Sequence, residues 1–125
     1  MKKIILIFFI IYLNLLANNL NIKAYAIGIF DQNGSGENIQ HTRNSIKDYN
    51  GTCFSKIVIF GNYNIKDIKV TIGTSIGHFE KAKSIFNDKK MKIAQELTFK
   101  HYNITKGYFE VRVKNKLYDS KVFIK

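Results

Sequence analysis

Three runs in which apolar and polar residues alternate constrain the fold more than any other feature of this 125-residue sequence. They are Ile65–Gly73, Ile93–Tyr102 and Gly107–Lys114. Because the side chains of a β-strand point alternately to the two faces of a sheet, each run predicts a strand with one buried and one solvent-facing side. Two further apolar runs, Lys56–Phe60 and Tyr118–Lys125, are rich in β-branched and aromatic residues and are also predicted strands.

The alternation also predicts which side chains of the three runs share the core-facing side. The expected inward residues are Ile68, Val70, Ile72, Ile93, Gln95, Leu97, Phe99, His101, Phe109, Val111 and Val113. Glycine and asparagine separate the runs, and these residues favour turns. Strands spaced by roughly 8–12 residues and joined by such turns predict a mainly β domain. We expect a small antiparallel β-sandwich, immunoglobulin-like in architecture.

One segment favours a helix instead of a strand. In Glu80–Asn87, the apolar residues Ala82, Ile85 and Phe86 fall at positions i, i+3 and i+4, which is the spacing of one helical face. The segment is too short to be stable alone, so the helix would form only by docking on the rest of the domain. The alternative architecture is therefore a small barrel with this one short helix at its end.

The first 26 residues have the pattern of a cleavable secretory signal peptide. Lys2 and Lys3 precede an uncharged apolar stretch, Ile4–Leu16, and Ala24–Ala26 (AYA) matches an A-x-A cleavage site. The apolar stretch is shorter than the about 20 residues of a transmembrane helix. We therefore expect export through the general secretory route, cleavage after Ala26, a periplasmic or secreted product and no stable membrane span afterwards.

The remainder, Ile27–Lys125, is predicted to form one β-rich domain with a polar N-terminal loop region over residues 31–52. Its size excludes most multi-domain enzymes. The whole chain has a net charge of +11, which is typical of proteins with polyanionic partners. The lysine excess has a second explanation, because residues with A+T-rich codons abound while Pro and Trp are absent, a bias that genome composition would also produce.

The polar loop region contains a pattern of possible metal ligands. Asp31, Asn33 and Ser35 place side-chain oxygens at alternate positions ahead of Gly36, which resembles the first half of an EF-hand calcium loop. The twelfth loop position, which supplies a bidentate glutamate in that family, is Thr42 here. The resemblance therefore implies at most weak calcium binding, and a turn between two strands is the alternative. No other cofactor is expected.

Cys53 is the single cysteine, so no disulfide can form within the chain. A nucleophilic cysteine needs a nearby histidine and usually a third orienting group. His41, His78 and His101 share no spacing with Cys53 that indicates such an arrangement, and their separations do not match a zinc site. We therefore expect no catalytic residue and no enzyme activity. Cys53 is predicted to be a packed thiol, and an intermolecular disulfide is the alternative.

The densest basic cluster in the chain is interleaved with aromatic residues. It comprises Lys81, Lys83, Lys89, Lys90 and Lys92. On one face of a sheet, lysines can hold the backbone charges of a polyanion while aromatic rings stack on its bases or sugars. Glu80, Asp88 and Glu96 interrupt the cluster, so a solvated charged face is the alternative interpretation.

These observations predict a small, basic, exported domain that acts as a non-catalytic binding or interaction module for a protein or envelope component. The terminal strand Tyr118–Lys125 is the expected contact surface, because a strand at the edge of a sheet can pair with an extended partner. The alternative function is binding of a polyanion, which would be nucleic acid, an acidic glycan or anionic lipid, through the lysine cluster.

Overall fold

A computed structural model describes residues 22–125, which form nine strands and one 3-10 turn at Ile65–Asp67. The strands are β1 (Lys23–Asp31), β2 (Gly36–Asn38), β3 (Gly51–Phe60), β4 (Ile68–Ile72), β5 (Ser75–Ile76), β6 (His78–Phe86), β7 (Lys92–Ile104), β8 (Gly107–Val113) and β9 (Lys116–Ile124). They build a five-stranded sheet in the order β2-β1-β3-β7-β6 and a four-stranded sheet in the order β5-β4-β8-β9. Within each sheet, neighbouring strands are antiparallel. The mainly β prediction is confirmed, and the two sheets do not close into a barrel.

The core is one apolar layer between the inner faces of the two sheets. The five-stranded sheet contributes fully buried residues from its three central strands, Ile29, Ile57 and Leu97. The four-stranded sheet contributes Val70, Ile72, Phe109 and Val111. These residues recur at every second position of their strands, so the period-two pattern of the sequence is the pattern of this layer.

Most of the predicted inward residues are buried, and two are not. Ile93 is 46 % exposed and Gln95 is half-buried, although Leu97, Phe99 and His101 on the same strand are buried. Ile93 lies at the start of β7, where the pairing with β6 contains a register irregularity. The neighbouring Ala94 is buried instead, so the predicted alternation does not hold at the start of β7.

The helix predicted over Glu80–Asn87 is wrong, because this segment lies within strand β6 and the turn that follows it. β6 pairs with β7 from His78 to Phe86. Almost all of its side chains are exposed, so the helix-like spacing of its apolar residues does not correspond to a buried face. Pairing with a long neighbouring strand thus overrides a weak local preference.

The chain crosses from one sheet to the other at Gly77. The Gly77 N–H donates to the carbonyl of Val70 in the four-stranded sheet (2.8 Å), and the next residue, His78, pairs with Lys100 in the five-stranded sheet. A Cβ atom at position 77 would lie 2.8 Å from the imidazole ring of His101. The crossover therefore needs glycine, and it covers a histidine that is completely buried.

Part of the polar loop region covers the terminal strand. The Ser45 N–H donates to the carbonyl of Phe123 (2.8 Å), the Phe123 N–H donates to the carbonyl of Arg43 (2.8 Å), and the Tyr49 N–H donates to the carbonyl of Lys125 (2.8 Å). β9 does lie at a sheet edge. Its C-terminal end is nevertheless occupied by the chain's own backbone, which leaves less of this edge for a partner.

The end of the predicted signal peptide falls within β1. Ala24 and Ala26 are buried and pair with Ile59 and Ile57 of β3. The Ala26 N–H also donates to Oδ2 of the buried Asp119 (2.9 Å). The folded domain therefore includes residues that precede Ile27. Residues 1–21 of the predicted signal peptide lie outside the described part of the chain, and within that part no helix is long and apolar enough to cross a membrane.

We expect a chain that starts at Ile27 to be less stable than one that starts at Ile22. The shorter chain loses the β1 pairs of residues 23–26 and leaves Oδ2 of the buried Asp119 without the Ala26 N–H donor. The free energy of unfolding should fall by about 3 kcal/mol or more. Urea denaturation of both chains measures the difference, with Lys23→Gln, an exposed change in the same strand, as the control. Equal unfolding midpoints would contradict the assignment of residues 23–26 to the sheet.

Candidate functional site

The outer side of the five-stranded sheet, which faces away from the second sheet, carries a cluster of lysine and aromatic side chains. One cross-strand row of this side is formed by Phe30, Phe54, Lys100 and His78. The next row is formed by Gly28, Lys56, Thr98 and Lys81, and Lys83 lies in the row after it, opposite Glu96. We define the lysine-aromatic face as Phe30, Phe54, Lys56, Lys81, Lys83 and Lys100.

A groove of about 410 Å³ lies on this face between the β1–β2 turn and β6. Phe30, Phe54, Lys56 and Lys81 line it, and Thr98 is the small residue between Lys56 and Lys81 in their cross-strand row. Thr98 is buried beneath the longer side chains around it. The groove therefore exists because a short side chain is placed among longer lysine and aromatic ones.

Two glycines leave the space that the Phe30 ring occupies. A Cβ atom at Gly28 would lie 2.8 Å from the ring, and a Cβ atom at Gly36 would lie 2.5 Å from it. The ammonium of Lys56 lies 4.8 Å from the centroid of the Phe30 ring, within the range of a cation–π contact. The ammonium of Lys100 lies 5.7 Å from the centroid of the Phe54 ring. Rings and ammonium groups thus form one continuous surface.

The lysines of this face differ in how far they are neutralised. Lys56 forms a salt bridge with Glu96 at 3.5 Å. Within residues 22–125, Lys81, Lys83 and Lys100 form no salt bridge. Two carboxylates also line the groove. Asp31 is bound by Lys47, and Glu80 forms no salt bridge within the same range of residues. The face therefore keeps an excess of positive charge for an anionic group in solution.

The structure divides the five lysines that the sequence grouped together. Lys81 and Lys83 lie on the lysine-aromatic face, whereas Lys89 and Lys90 lie in the β6–β7 turn. Lys92 lines a different pocket, which also contains Asn62, Tyr63 and Gln95. The five lysines therefore lie in three different places on the domain.

Three residues of the face have no connection with the lysine cluster in the sequence. They are Phe30, Phe54 and Lys56, whereas Lys100 follows the cluster along the chain. The apolar run that indicates this strand in the sequence is Lys56–Phe60, whereas β3 begins at Gly51. Following the alternation of β3 back from Lys56 would have placed Phe54 and Lys56 on the same outward side, opposite the buried Cys53 and Ser55.

The calcium-like pattern forms the turn between β1 and β2. Oδ1 of Asp31 accepts hydrogen bonds from the N–H groups of Asn33 (2.9 Å) and Ser35 (3.0 Å). The Lys47 ammonium binds the other carboxylate oxygen of Asp31, and this hydrogen bond lowers the pKa of Asp31. The carboxylate that would be the main cation ligand is therefore already bound by donors of the chain itself.

The turn between β6 and β7 has the same hydrogen-bond arrangement, with the side-chain amide of Asn87 in place of the Asp31 carboxylate. Oδ1 of Asn87 accepts hydrogen bonds from the N–H groups of Lys89 (2.9 Å) and Met91 (3.0 Å). In both turns the residue three positions after the acceptor, Gly34 or Lys90, has a positive φ. The pattern around Asp31 is thus explained by turn chemistry. Within residues 22–125 no three Asp, Glu, His or Cys side chains are grouped so that they could hold a metal ion.

Cys53 and His101, which no sequence spacing connects, lie opposite each other on β3 and β7. Nε2 of His101 is 2.8 Å from Oγ of Ser55. Burial raises the pKa of the Cys53 thiol to about 12 and lowers the pKa of His101 to about 4, so both groups are neutral at pH 7. Both side chains are almost completely buried. A substrate, or the thiol of a second chain, could reach Cys53 only if the core opened.

His101 should make the protein less stable in acid. The pKa of His101 is about 4 in the folded protein against 6.5 for a free imidazole, so between these values the unfolded chain binds a proton that the folded chain does not. The free energy of unfolding is therefore highest above pH 6.5 and falls as the pH drops towards 4. The loss should reach about 3 kcal/mol at most.

Urea denaturation between pH 4 and 7 measures this effect. His101→Gln should flatten the dependence over that range, whereas His41→Gln, at an exposed position, should leave it unchanged. A slope that persists in His101→Gln would show that another group causes the acid sensitivity.

Comparison of the sequence with protein-family models and with curated proteins found no match, and comparison of the structure with solved structures found none. Function is therefore inferred from the residues and geometry of this chain.

Proposed function

We propose that the protein is an exported, non-catalytic binding module that holds an anionic protein or envelope component on the lysine-aromatic face. The observation that carries this proposal is the pairing of Phe30 with Phe54 beside an open groove that Lys56 and Lys81 also line. Phenylalanine rings on the solvent side of a sheet do not contribute to the core between the sheets. Aromatic side chains are enriched at contact surfaces relative to the rest of a protein surface.

The chemistry of the face suits an acidic partner. The ammonium groups of Lys81, Lys83 and Lys100 can bind carboxylate, sulfate or phosphate oxygens, and the neighbouring rings offer a flat apolar surface to the rest of the ligand. The ammonium groups lie on adjacent strands, which pair about 5 Å apart, so they act together within the Debye length of about 8 Å at physiological ionic strength.

The non-catalytic part of the proposal is supported by where the reactive residue types lie. Cys53, Ser55 and His101 are enclosed in the core, where no substrate contacts them in the folded state. The groove is lined by two lysines, two phenylalanines, a threonine, a glutamine, a glycine and two carboxylates. Of the carboxylates, Asp31 is bound by Lys47, and Glu80 forms no salt bridge in the described part of the chain. This set provides charge and shape without a paired nucleophile and base.

A long polyanion is the second candidate, and the β6–β7 turn favours it. Lys89 and Lys90 are exposed in this turn and extend the positive surface beyond the groove along the same hairpin. A nucleic acid, an acidic glycan or an anionic lipid surface would contact these lysines as well as the face. A compact acidic segment of a protein would need the face alone, so the turn lysines distinguish the two candidates.

We expect the double substitution Lys81→Gln/Lys100→Gln to weaken binding of poly-L-glutamate about tenfold, because it removes two unbridged charges from the face. The matched control is Lys69→Gln/Lys121→Gln, which removes two exposed lysines from the other sheet and should change the affinity less than about twofold. Titration calorimetry at about 0.1 M salt measures both affinities.

The same titrations with dextran sulfate and a single-stranded oligonucleotide test the second candidate. If Lys89→Gln/Lys90→Gln weakens binding of these polymers as much as the face variant does, with a steep salt dependence, the polyanion function is favoured. Equal losses in the face variant and in the control would show attraction by net charge alone and would contradict a defined binding face. Absence of binding to every probe would contradict the proposed anionic ligand.

A further inference from the structure

β6 is the longest open edge among the described strands. It pairs with β7 on one side, and no other strand within residues 22–125 pairs with its second side. The remaining edge strands are shorter or covered, because β2 has three residues, β5 has two, and the end of β9 is bonded to residues 43–49. An edge of nine residues presents a row of backbone donors and acceptors to an incoming strand.

The two sides of β6 differ in chemistry. Lys81 and Lys83 point to the lysine-aromatic face, where they lie in the rows of Thr98 and Glu96. The other side carries Phe79 and Ala82, which pair with the core residues Phe99 and Leu97. Phe79 is 43 % exposed although its ring packs edge-on against Phe99. Glu80 lies at the register irregularity between Phe79 and Lys81 and lines the groove, and apart from it β6 has a lysine side and an apolar side.

The apolar side of β6 lies where the second sheet ends. That sheet ends at the two-residue strand β5, so it does not extend under β6, whose side chains are almost all exposed. Ile76 of β5 and Phe86 at the end of β6 are more than half exposed. A strand added to the free edge would bury its own apolar residues beside Phe79 and extend the core layer.

We propose that β6 accepts an additional strand from a protein partner in which acidic residues alternate with apolar ones. The inference rests on the proposed function, and it specifies the partner as an extended polypeptide segment. The acidic residues lie opposite Lys81 and Lys83, and the apolar residues lie on the side of Phe79 and Ala82. Main-chain hydrogen bonds to the free edge supply affinity for any extended polypeptide, and the alternating side chains supply the specificity for this partner.

The charges of β6 argue against a second copy of this chain as the occupant. In an antiparallel pair of two β6 strands centred on Ala82, Lys81 of one copy would face Lys83 of the other, and like charges directly opposite each other are destabilising. Lysines on an edge strand prevent self-pairing in this way. Carboxylates at the same positions would turn the repulsion into attraction, so the edge favours an acidic strand over a copy of itself.

Backbone chemistry also distinguishes a polypeptide from a polyanion at this edge. The free side of an edge strand offers N–H donors and carbonyl acceptors alternately. An extended polypeptide matches both groups, whereas a phosphate or sulfate polymer offers acceptors to the donors and leaves the carbonyls unmatched. The open edge of β6 therefore selects for a protein segment, although the adjacent lysines attract any anion.

Binding of nine-residue peptides to the chain Ile22–Lys125 tests the proposal. The first peptide alternates glutamate with valine, and the second alternates lysine with valine. We expect the unmodified protein to bind the glutamate peptide at least tenfold more tightly than the lysine peptide. Lys81→Glu/Lys83→Glu, which changes two exposed residues, should reverse this preference. Fluorescence anisotropy measures the affinities, and the unfolding midpoint of the variant verifies that it folds.

N-methylated peptides show whether the contact is strand pairing. The glutamate peptide is prepared with N-methyl groups on alternate residues in two versions, one of which blocks the amides that face β6. One version should lose at least tenfold in affinity and the other should bind as the parent does. Nuclear magnetic resonance should show new protection from hydrogen exchange for the amides of β6 that point away from β7.

Several outcomes would overturn the proposal. If both N-methylated versions bind as tightly as the parent peptide, strand addition is wrong. If Lys81→Gln/Lys100→Gln still weakens binding of the peptide in that case, the proposed function remains intact. If neither the peptides nor poly-L-glutamate and dextran sulfate bind, the proposed function fails as well. If the unmodified protein sediments as a dimer and the amides on the free edge of β6 are protected from hydrogen exchange in that dimer, the edge is occupied by a second copy of the chain.

Discussion

One apolar layer between two open sheets holds this domain together, and every other feature depends on it. The only cysteine, Cys53, is free and buried, so no disulfide contributes to stability. Ile57 and Leu97 from one sheet meet Phe109 and Val111 from the other, and all four are completely buried. At about 25 cal/mol per Å² of buried apolar surface, such side chains supply most of the favourable free energy of folding. The outer face of the five-stranded sheet lies away from this layer and does not contribute to it.

The sequence alone predicted the strands that have one face in this layer, but it did not predict β6, which lies beyond the edge of the layer. In β4 and β8 the alternation identified both the strand and its buried side, because each strand has one face in the core. β6 has no such face, and its apolar residues fell by chance at helical spacing. Its structure is determined by the pairing with β7, the next strand of the same hairpin, and the spacing of apolar residues within β6 alone does not report that pairing.

Only part of the candidate site could be predicted, because strand pairing also decides which side chains share its face. Lys81 and Lys83 were found because they are close together in the sequence, whereas Phe54 and Lys56 reach the same face through the register of β3 with β7. Register depends on which residues pair across strands, and the composition of a single run does not contain that information. The pattern at Asp31 was visible in the sequence, but the sequence did not show that it forms a turn. The structure shows that Asp31 accepts backbone hydrogen bonds in the same way as Asn87 in the β6–β7 turn.

The central claim is that a rigid two-sheet core ends in an open strand edge at β6. Amide hydrogen exchange of the free protein, followed residue by residue, tests this claim most directly. The account predicts that amides of β3 and β7 exchange only on global unfolding, while successive amides along β6 alternate between protected and rapidly exchanging. Uniform protection of β6 at the level of β7 would show that this edge is already covered, and it would contradict the account.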